Sequence, residues 1–495
     1  MAGPLLTAGR DGLLDQAVDL IEHFDSCLRG LYRAQLDLDE HVAYCRSRGL
    51  PYDEPVISHL AESAQYARRC IAERRSALVA ADDVAGQPLS TAEGVLRWGL
   101  ATLAYVRDAL EWCSASYAQA GAVQFFDLAQ QDSPKVNYER YEHAAVERVE
   151  RQLLDTLGLT PDRHGLSVTS SGVAAYSLVE SFLLRDRLRP GDTVLIAPYV
   201  YFEAAEQLSA LPPHVEIRWA ARYETDDLVA DVLRHRPRCV FADPLTNTAQ
   251  QRMIDLGALV ERLRAVVTWP ITLVVDGTMT SGMLPPGLLA GDDAVEILYY
   301  ESCSKYMQLG LDSNMAGLVA YPAHLGERFG LLRRNSGSIL YRHAADMFPR
   351  FQPATYRARM RRIGDGARRI AALLSADPRV QAAGQVCHPS LPDHPDAAVA
   401  RDLGFAGGCV TFLFHDPDHN TKDGLNAVID RAIERARLSG AQLTKGASFG
   451  FSVPRLSAAD AFAEGEPPFL RLYAGDRGAQ AGLLAEALAQ ALHQH

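Results

Sequence analysis

The sequence predicts an α/β protein with a mostly parallel sheet flanked by helices, a helical N-terminal extension and a small α+β C-terminal domain. Residues 10 to about 118 show helical periodicity, whereas short β-rich runs alternate with helix-length segments from about residue 165. That alternation is typical of βαβ units and a parallel sheet. Beyond about residue 370 the order is less regular. A length of 495 residues suits about three domains of roughly 150 residues, which we predict at 1–120, 121–370 and 371–495.

Three amphipathic stretches make up the N-terminal region. In the first, over residues 11–35, apolar side chains from Leu13 to Phe24 recur at three- and four-residue spacing, which favours a helix with one buried face. The second covers residues 57–81. The third covers 91–117 and opens with cap candidates at Ser90 and Thr91. None of the three carries a chemical motif.

The α/β part contains six short apolar runs that we predict as strands. They lie at 193–197, 215–219, 239–243, 271–276, 295–300 and 316–321. In the C-terminal part we predict strands at 409–415 and 469–475 and helices at 421–438 and 477–493. The Pro- and His-rich residues 387–402 predict a loop.

Charge and composition exclude several classes of function. The net charge is −12, from 49 basic and 61 acidic residues, so broad attraction to nucleic acid or anionic membranes is not expected. No uncharged apolar run approaches the roughly 18 residues of a membrane span, and the N-terminus lacks signal-peptide features. The eight cysteines are scattered without metal-ligand spacing. We therefore expect a soluble, cytoplasmic protein without a metal site.

Several familiar motifs are absent or lack their context. The sequence has no P-loop, no strand-linked G-x-G-x-x-G and no H-E-x-x-H. Residues 446–450 fit G-x-S-x-G, but Pro454 follows in place of the helix that a nucleophile elbow requires. His415 and His419 flank an Asp-Pro-Asp segment that favours a solvated turn over a metal site.

The informative residues follow the predicted strands. Only four lysines occur, at 135, 305, 422 and 445. Lys305 follows the strand at 295–300 and is bracketed by Ser302 and Ser304, which suits a Schiff-base lysine beside a phosphate pocket. Asp276 ends the preceding strand, where open α/β sheets place ligand sites. Small residues at 169–175 precede a helix whose first N–H groups could approach a phosphate. Together these features predict a pyridoxal 5'-phosphate site.

These motifs resemble the Cys/Met-metabolism pyridoxal-phosphate enzymes, the fold-type I group that includes cystathionine γ-synthase, cystathionine lyases and methionine γ-lyase. Residues 302–306 are similar to the family's S-x-T-K-Y, residues 275–278 to its V-D-N-T and residues 469–473 to its L-V-R-L-S. The resemblance covers roughly residues 125–495. It implies the fold-type I transferase-like fold, pyridoxal 5'-phosphate as cofactor, a small amino acid as substrate, and a homo-oligomer, dimer or tetramer, with shared active sites.

The resemblance also implies roles for individual residues. Lys305, Asp276 and Tyr201 would be catalytic, with Lys305 bound to the cofactor, Asp276 at its pyridine nitrogen and Tyr201 stacked on its ring. Tyr138 and Arg140 would reach the phosphate site of the neighbouring subunit. Arg471 and Ser448 would bind the substrate. The residues implied to bind the cofactor are Tyr138, Arg140, Ser171, Gly172, Val173, Tyr201, Asn247, Asp276, Thr278, Ser302, Ser304 and Lys305.

Departures from the family pattern fall in the loops that face the substrate. Residues 201–204 read Tyr-Phe-Glu-Ala in place of Y-G-G-T, Thr248 replaces a proline, and residues 308–312 replace G-H-S-D. We therefore expect γ-elimination or γ-replacement in a specialised amino-acid pathway, with a halogenated or unsaturated amino acid as one class that fits. A β-lyase stays open as an alternative. So does a non-catalytic binding protein that uses the N-terminal helices to bind a partner.

Overall fold

The computed structural model describes residues 3–80, 86–110, 141–211, 214–289, 291, 294–460 and 467–493. Its N-terminal part is a bundle of three long helices, α1 Gly3–Arg48, α2 Glu54–Val79 and α3 Gly86–Leu110. Asp53 caps α2 by accepting a hydrogen bond from the backbone N–H of Val56 at 3.1 Å, as an N-cap aspartate commonly does. α1 starts earlier and ends later than the predicted stretch at 11–35.

A seven-stranded sheet forms the centre of the molecule. Its strands are β1 His164–Thr169, β2 Thr193–Ile196, β3 Glu216–Trp219, β4 Cys239–Ala242, β5 Ile271–Asp276, β6 Val295–Ser302 and β7 Gly317–Pro322. The strand order is β1-β7-β6-β5-β4-β2-β3. β7 runs antiparallel to both of its neighbours and the other pairings are parallel. All six residues of β5 are buried, as expected where helices cover both faces of a parallel sheet.

Helices connect and flank these strands, which confirms the predicted α/β fold class. They are α4 Ala144–Leu157, α5 Gly172–Phe182, α6 Phe202–Ser209, α7 Thr225–His235, α8 Leu256–Val266, α9 Gly326–Ser336, α10 Arg342–Met347 and α11 Pro353–Ser375. A π-helical turn, Leu183–Arg187, continues α5. Short 3₁₀ turns occur at Pro286–Leu289, Tyr306–Gln308, Ala323–Leu325, Pro417–His419 and Gly478–Gln480.

The C-terminal part is a second sheet with helices packed against it. Its strands, in the order β10-β11-β12-β9-β8, are β8 Gly384–Cys387, β9 Cys409–Phe414, β10 Thr444–Lys445, β11 Arg455–Ala459 and β12 Phe469–Tyr473. Its helices are α12 Pro378–Ala383, α13 Ala397–Leu403, α14 Lys422–Leu438 and α15 Ala481–His493.

The loop predicted over residues 387–402 is wrong in its second half, where α13 forms. Prolines end at Pro395, and the following Ala-Ala-Val-Ala-Arg-Asp-Leu contains good helix formers. Gly404 ends the helix with a positive φ of 70°, a conformation that glycine adopts without steric cost.

Buried apolar side chains form three clusters, one in the N-terminal helices, one around the large sheet and one in the C-terminal part. α11 contributes to two of them: Met360 and Ile363 pack against the large sheet, and Ala367 and Ile370 pack in the C-terminal cluster. A domain boundary near residue 370 would therefore fall within a helix that both clusters share. The three-domain division stays a prediction.

Within the described residues, no helix combines the length and the hydrophobicity that crossing a lipid bilayer requires.

We expect Phe329 to stabilise the packing of α9 on the large sheet. Its ring is fully buried and stacks on Tyr321 of β7, with centroids 4.2 Å apart, and on Phe182 of α5, with centroids 4.8 Å apart. Phe329→Ala should lower the free energy of unfolding by about 3–5 kcal/mol, measured by chemical denaturation. Leu331, on the same helix, is 40% exposed, and Leu331→Ala should change it by less than about 0.5 kcal/mol. Equal losses in the two variants would contradict this account of the packing.

Candidate active site

A cavity of about 1790 Å³ opens at the carboxyl ends of β4, β5 and β6. Pockets for small ligands commonly enclose roughly 300–1,000 Å³, so this one has room for more than one small molecule. The structure brings together in its lining every predicted site residue that it describes. These residues are Ser171, Gly172, Val173, Tyr201, Asn247, Asp276, Thr278, Ser302, Ser304, Lys305, Ser448 and Arg471. The other two, Tyr138 and Arg140, lie outside the described residues.

Lys305 lies between β6 and β7 and reaches into this cavity. Its Nζ donates to Oγ of Ser448 at 2.9 Å and lies 5.6 Å from the centroid of the Phe449 ring. Burial lowers the pKa of the Lys305 amine, and the positive charge of Arg471 lowers it further. An amine with a lowered pKa is uncharged more of the time and is therefore a better nucleophile and base.

The start of α5 forms a cradle next to the end of β6. Ser171 caps the helix by accepting a hydrogen bond from Ala174 N–H at 3.0 Å. Gly172 lies so close to β6 that a Cβ atom there would come within 2.6 Å of the Ser302 Cβ and 2.9 Å of its Cα. Only glycine therefore fits where the helix start meets Ser302. Such a helix start offers free N–H groups and a partial positive charge to an anion.

The hydroxyl of Ser304 has backbone partners in the structure. It accepts from the N–H of Ala316 at 3.1 Å and lies 3.3 Å from the carbonyl oxygen of the same residue. Thr278, also predicted at the cofactor, accepts at its Oγ1 from Ser302 N–H at 3.0 Å. Both side chains thus line the cavity, and their hydrogen bonds fix the backbone around the end of β6.

Two buried carboxylates meet at the ends of neighbouring strands. Asp276 ends β5, and its Oδ1 accepts from Thr278 N–H at 2.8 Å. Asp243 follows β4, and its Oδ2 accepts from Tyr201 N–H at 3.0 Å. Burial raises the pKa of both groups, and the charge of Asp276 raises that of Asp243 further. We conclude that this pair holds a proton more readily than an isolated carboxylate does.

Asp243 is a site residue that the sequence alone does not identify. The rule that selected Asp276, an acidic residue directly after an apolar strand, applies equally to Asp243 after β4. In a sequence, however, such a residue is more often a turn or a helix cap. Only the pairing of β4 with β5 shows that the two carboxylates are neighbours.

Arg471 on β12 reaches the cavity from the C-terminal sheet. Its NH1 donates to Oδ1 of Asn247 at 2.8 Å and its NH2 to the carbonyl oxygen of Ala447 at 3.0 Å. Among the described residues, its buried Nε has no hydrogen-bond partner. The guanidinium group is thus held on two sides and keeps N–H donors beyond these two contacts, and carboxylates are its preferred partners.

Tyr201 and Glu203 form the wall contributed by the start of α6. The backbone of Tyr201 is fixed by Asp243, and its ring lies 4.9 Å from that of Phe202. Burial raises the pKa of the Tyr201 phenol well above its ordinary value, and the neighbouring Glu203 carboxylate adds to this. The phenol is therefore protonated at neutral pH and can donate a hydrogen bond.

The chemistry of this lining fits pyridoxal 5'-phosphate. Lys305 supplies a reactive amine, the start of α5 supplies anion-binding N–H groups, and Asp276 supplies a buried carboxyl at the strand end. The Gly172 contact leaves the helix N-terminus directly beside the hydroxyl-bearing end of β6. These are the groups that an aldehyde, a phosphate and a pyridine nitrogen require.

Comparison with known proteins assigns the sequence to a family. Residues 109–430 match the Cys/Met metabolism PLP-dependent enzymes. The chain is also 32% identical over 384 residues to the bifunctional enzyme flvA of Aspergillus flavus, a match that covers 77% of this chain. The matched region spans 45% of the length of that protein.

Solved structures share the fold. Apo CalE6, a methionine gamma lyase from Micromonospora echinospora, superposes with a TM-score of 0.58 at 23% identity, covering 74% of this chain and 90% of that one. Cystathionine gamma synthase from Xanthomonas oryzae pv. oryzae gives a TM-score of 0.59 at 22% identity, covering 73% and 89%. At such identities the likeness concerns the fold.

We expect Lys305 to be the residue that binds the cofactor covalently. Lys305→Ala should abolish the visible absorption of the lysine-bound cofactor, its fixation by borohydride, and turnover. Lys445, which is half exposed and pairs with Asp430 at 3.5 Å, provides the control, and Lys445→Ala should retain all three. A borohydride-fixed cofactor on another lysine of the Lys305→Ala protein, located by mass spectrometry, would show that the assignment is wrong.

Proposed function

Because the chain belongs to the Cys/Met metabolism PLP-dependent enzymes, we propose that it catalyses γ-elimination or γ-replacement on an amino acid. The observation that carries the proposal is the position of Lys305, whose amine lies 2.9 Å from Ser448 Oγ in the cavity that also contains Arg471. Removing protons from Cα and Cβ of an amino acid requires a base and a group that orients the substrate. This cavity offers both.

Pyridoxal 5'-phosphate is the cofactor, and when bound it supplies a carbonyl that reacts with amines and a ring that withdraws electrons. We propose that Lys305 and Asp276 hold its reactive carbon and its ring nitrogen, and that the start of α5 with Ser302 holds its phosphate. Asn247 would donate from its amide nitrogen, since its Oδ1 already accepts from Arg471.

Arg471 would bind the α-carboxylate of the substrate. Its Nε is the donor without a partner among the described residues, and the contacts with Asn247 and Ala447 fix the plane of the guanidinium group. A carboxylate held in this way stays on the substrate, which disfavours decarboxylation. It also fixes the orientation of the Cα–H bond relative to Lys305.

Lys305 would then carry out the proton transfers. Its lowered pKa leaves the amine uncharged more often than an ordinary lysine amine, so it can accept the Cα proton and, once it has released that proton, the Cβ proton. The two deprotonations allow a group on Cγ to leave. Tyr201, whose phenol lines the same cavity, is the proposed group that assists the departing group.

A specialised pathway is favoured by the residues that face the substrate. Phe202 and Glu203 line the cavity where the family pattern has two glycines, and they narrow it and add a negative charge. We propose that they exclude the family's common substrates and admit an unusual leaving group or an unsaturated product, such as a halogenated or unsaturated amino acid.

The cytoplasm is the proposed location.

We also propose a homodimer or homotetramer with shared active sites. The support is the likeness of Tyr138 and Arg140 to the family's donated phosphate clamp. In addition, Val173 and Met315 at the rim of the cavity are 42% and 68% exposed. A contact with a second subunit would cover both side chains.

The choice between γ- and β-chemistry can be made by proton exchange. Reaction in D₂O should place deuterium at both Cα and Cβ of the recovered substrate or product, because γ-chemistry requires both deprotonations. Mass spectrometry and NMR locate the label. A β-elimination requires only the first deprotonation, so deuterium confined to Cα, together with a preference for β-leaving groups, would replace the γ assignment by a β-lyase.

Mixed oligomers test whether the sites are shared. Arg140→Ala and Lys305→Ala subunits should each be inactive or nearly so, because one lacks the phosphate clamp and the other the amine. If each site uses residues of two subunits, a mixed dimer contains one site with neither defect. Such a dimer should recover up to about half of the activity of a wild-type dimer. Mixing Lys305→Ala with Lys305→Ala/Arg140→Ala subunits is the control, which should recover none. Mixed dimers verified by mass that stay inactive would show that the sites are separate.

A further inference from the structure

A buried chain of polar contacts runs from the N-terminal helix α1 to the loops around the proposed active-site amine. Gln16 on α1 donates from Nε2 to Oδ1 of Asp476 at 2.7 Å. The other carboxylate oxygen of Asp476 accepts from Nε of Arg359 at 2.7 Å. Arg359 in turn donates from NH1 to the carbonyl oxygen of Tyr306 at 3.3 Å and from NH2 to that of Gly450 at 2.8 Å.

Both carbonyl groups belong to segments that place Lys305. Tyr306 follows it directly, and Gly450 lies in the same loop as Ser448, which accepts the hydrogen bond from Lys305 Nζ. The two segments touch backbone to backbone, since a Cβ on Gly450 would overlap the carbonyl carbon of Lys305 and lie 2.6 Å from Tyr306 N. Gly450 also has a φ of 88°, which disfavours any other residue. A shift of Arg359 therefore moves the amine or its partner.

The N-terminal helices also hold the loop that follows Lys305. Leu311 is 1% exposed and belongs to the apolar cluster formed by α1, α2 and α3. Its neighbour Gly310 has a φ of 81°, and a Cβ there would lie 2.7 Å from Ser452 N. This loop, residues 308–312, is one of those that depart from the family pattern. It is enclosed between the N-terminal bundle and the segment that contains Ser448.

Burial makes the geometry of the chain depend on each of its members. The exposed fractions of Gln16, Arg359 and Asp476 are 6%, 3% and 5%. A buried ion pair is well placed only when its remaining hydrogen-bonding positions are also satisfied. Gln16 satisfies one of those positions on Asp476, so its loss should change how Asp476 holds Arg359.

We infer that α1 is a part of the active-site framework and that Gln16 is a positioning residue, acting through Asp476 and Arg359 on Lys305. This inference rests on the proposed role of Lys305. It goes beyond that role because it gives the N-terminal helices a function in catalysis.

The matched control is a contact of the same helix that is not part of the hydrogen-bonded chain from Gln16 to Lys305. Glu22 on α1 accepts at its Oε2 from Oγ1 of Thr355 on α11 at 3.1 Å, at the exposed surface. If α1 only packs against the rest of the protein, loss of either contact should weaken that packing and leave Lys305 unaffected. If α1 positions the amine, only the buried contact should affect Lys305.

The absorption of the bound cofactor reports the surroundings of Lys305 directly. The charged groups that face its amine are Glu203 on α6, Asp312, Arg455 on β11 and Arg471 on β12. All four lie outside the chain from Gln16 to Arg359. The measured quantity is the midpoint pH of the titration of the visible absorption band. A shift of this midpoint would therefore report movement of the amine relative to these charges.

The experiment compares Gln16→Met and Glu22→Met in the full-length holoenzyme. Gln16→Met keeps the side-chain volume but removes the donor. It should shift the midpoint of the spectral pH titration by about half a pH unit or more and lower kcat about tenfold, since small misplacements of catalytic groups have effects of this size. Glu22→Met should leave the midpoint unchanged and kcat within about twofold, the range of an exposed contact. Thermal unfolding checks that both variants are folded.

Wild-type midpoint and kcat in a folded Gln16→Met protein would overturn the inference and leave the proposed function intact. Should Gln16→Met not fold, Leu311→Val takes its place, because it loosens the contact between α1–α3 and the loop after Lys305. A wild-type midpoint and kcat in that variant would overturn the inference as well. A Lys305→Ala protein that keeps the visible band would instead contradict the proposed function.

Discussion

The proposed active site depends on the parallel pairing of β4, β5 and β6, which brings three strand ends to one edge of the sheet. Ala242 lies opposite Val275, and Asp276 lies opposite Tyr300. Asp243, the residue after Ala242, therefore comes next to Asp276, and the loop carrying Lys305 leaves β6 just beyond them. A shift of one residue in either pairing would turn one of these side chains to the other face of the sheet. The buried apolar strands fix the register because their side chains fill the core on both faces.

This arrangement places two pairs of like charges on different sides of the cavity. Asp243 and Asp276 lie at the strand ends, where burial raises the pKa of both carboxyls and the charge of Asp276 raises that of Asp243 further. Lys305 and Arg471 lie toward the C-terminal sheet, and the arginine helps to lower the pKa of the lysine amine. Like charges placed together push each group toward its neutral form. One side of the cavity is thus suited to sharing a proton with a ring nitrogen, and the other to accepting protons from a substrate whose carboxylate is already held.

Local patterns were sufficient to predict six of the seven strands of the large sheet, its mostly parallel pairing and the positions of Asp276 and Lys305 at strand ends, whereas β1 was not predicted. Burial on both faces produces continuous apolar runs, and the residues that follow such runs reach the same edge. Contacts between distant segments leave no comparable pattern. Ser448 and Lys305 are 143 residues apart in the chain, and Arg359 and Asp476 are 117 apart. Nothing in their neighbours indicates that these pairs meet, because the docking of the C-terminal sheet and of α11 decides it.

The buried pair of Arg359 and Asp476 does not need to add stability to be retained. Removing two charges from water costs several kcal/mol per ion, and apolar side chains of similar volume often stabilise a core as well or better. An ion pair differs from an apolar pair in having direction: its donors must point at particular acceptors. The acceptors of Arg359 are the carboxylate of Asp476, which also accepts from Gln16, and the carbonyl oxygens of Tyr306 and Gly450. Apolar packing alone would tolerate small translations of α1 relative to the rest of the protein, whereas directed hydrogen bonds such as these resist them. We infer that the contribution of this pair is a fixed distance between the N-terminal helix and the segment that carries Lys305.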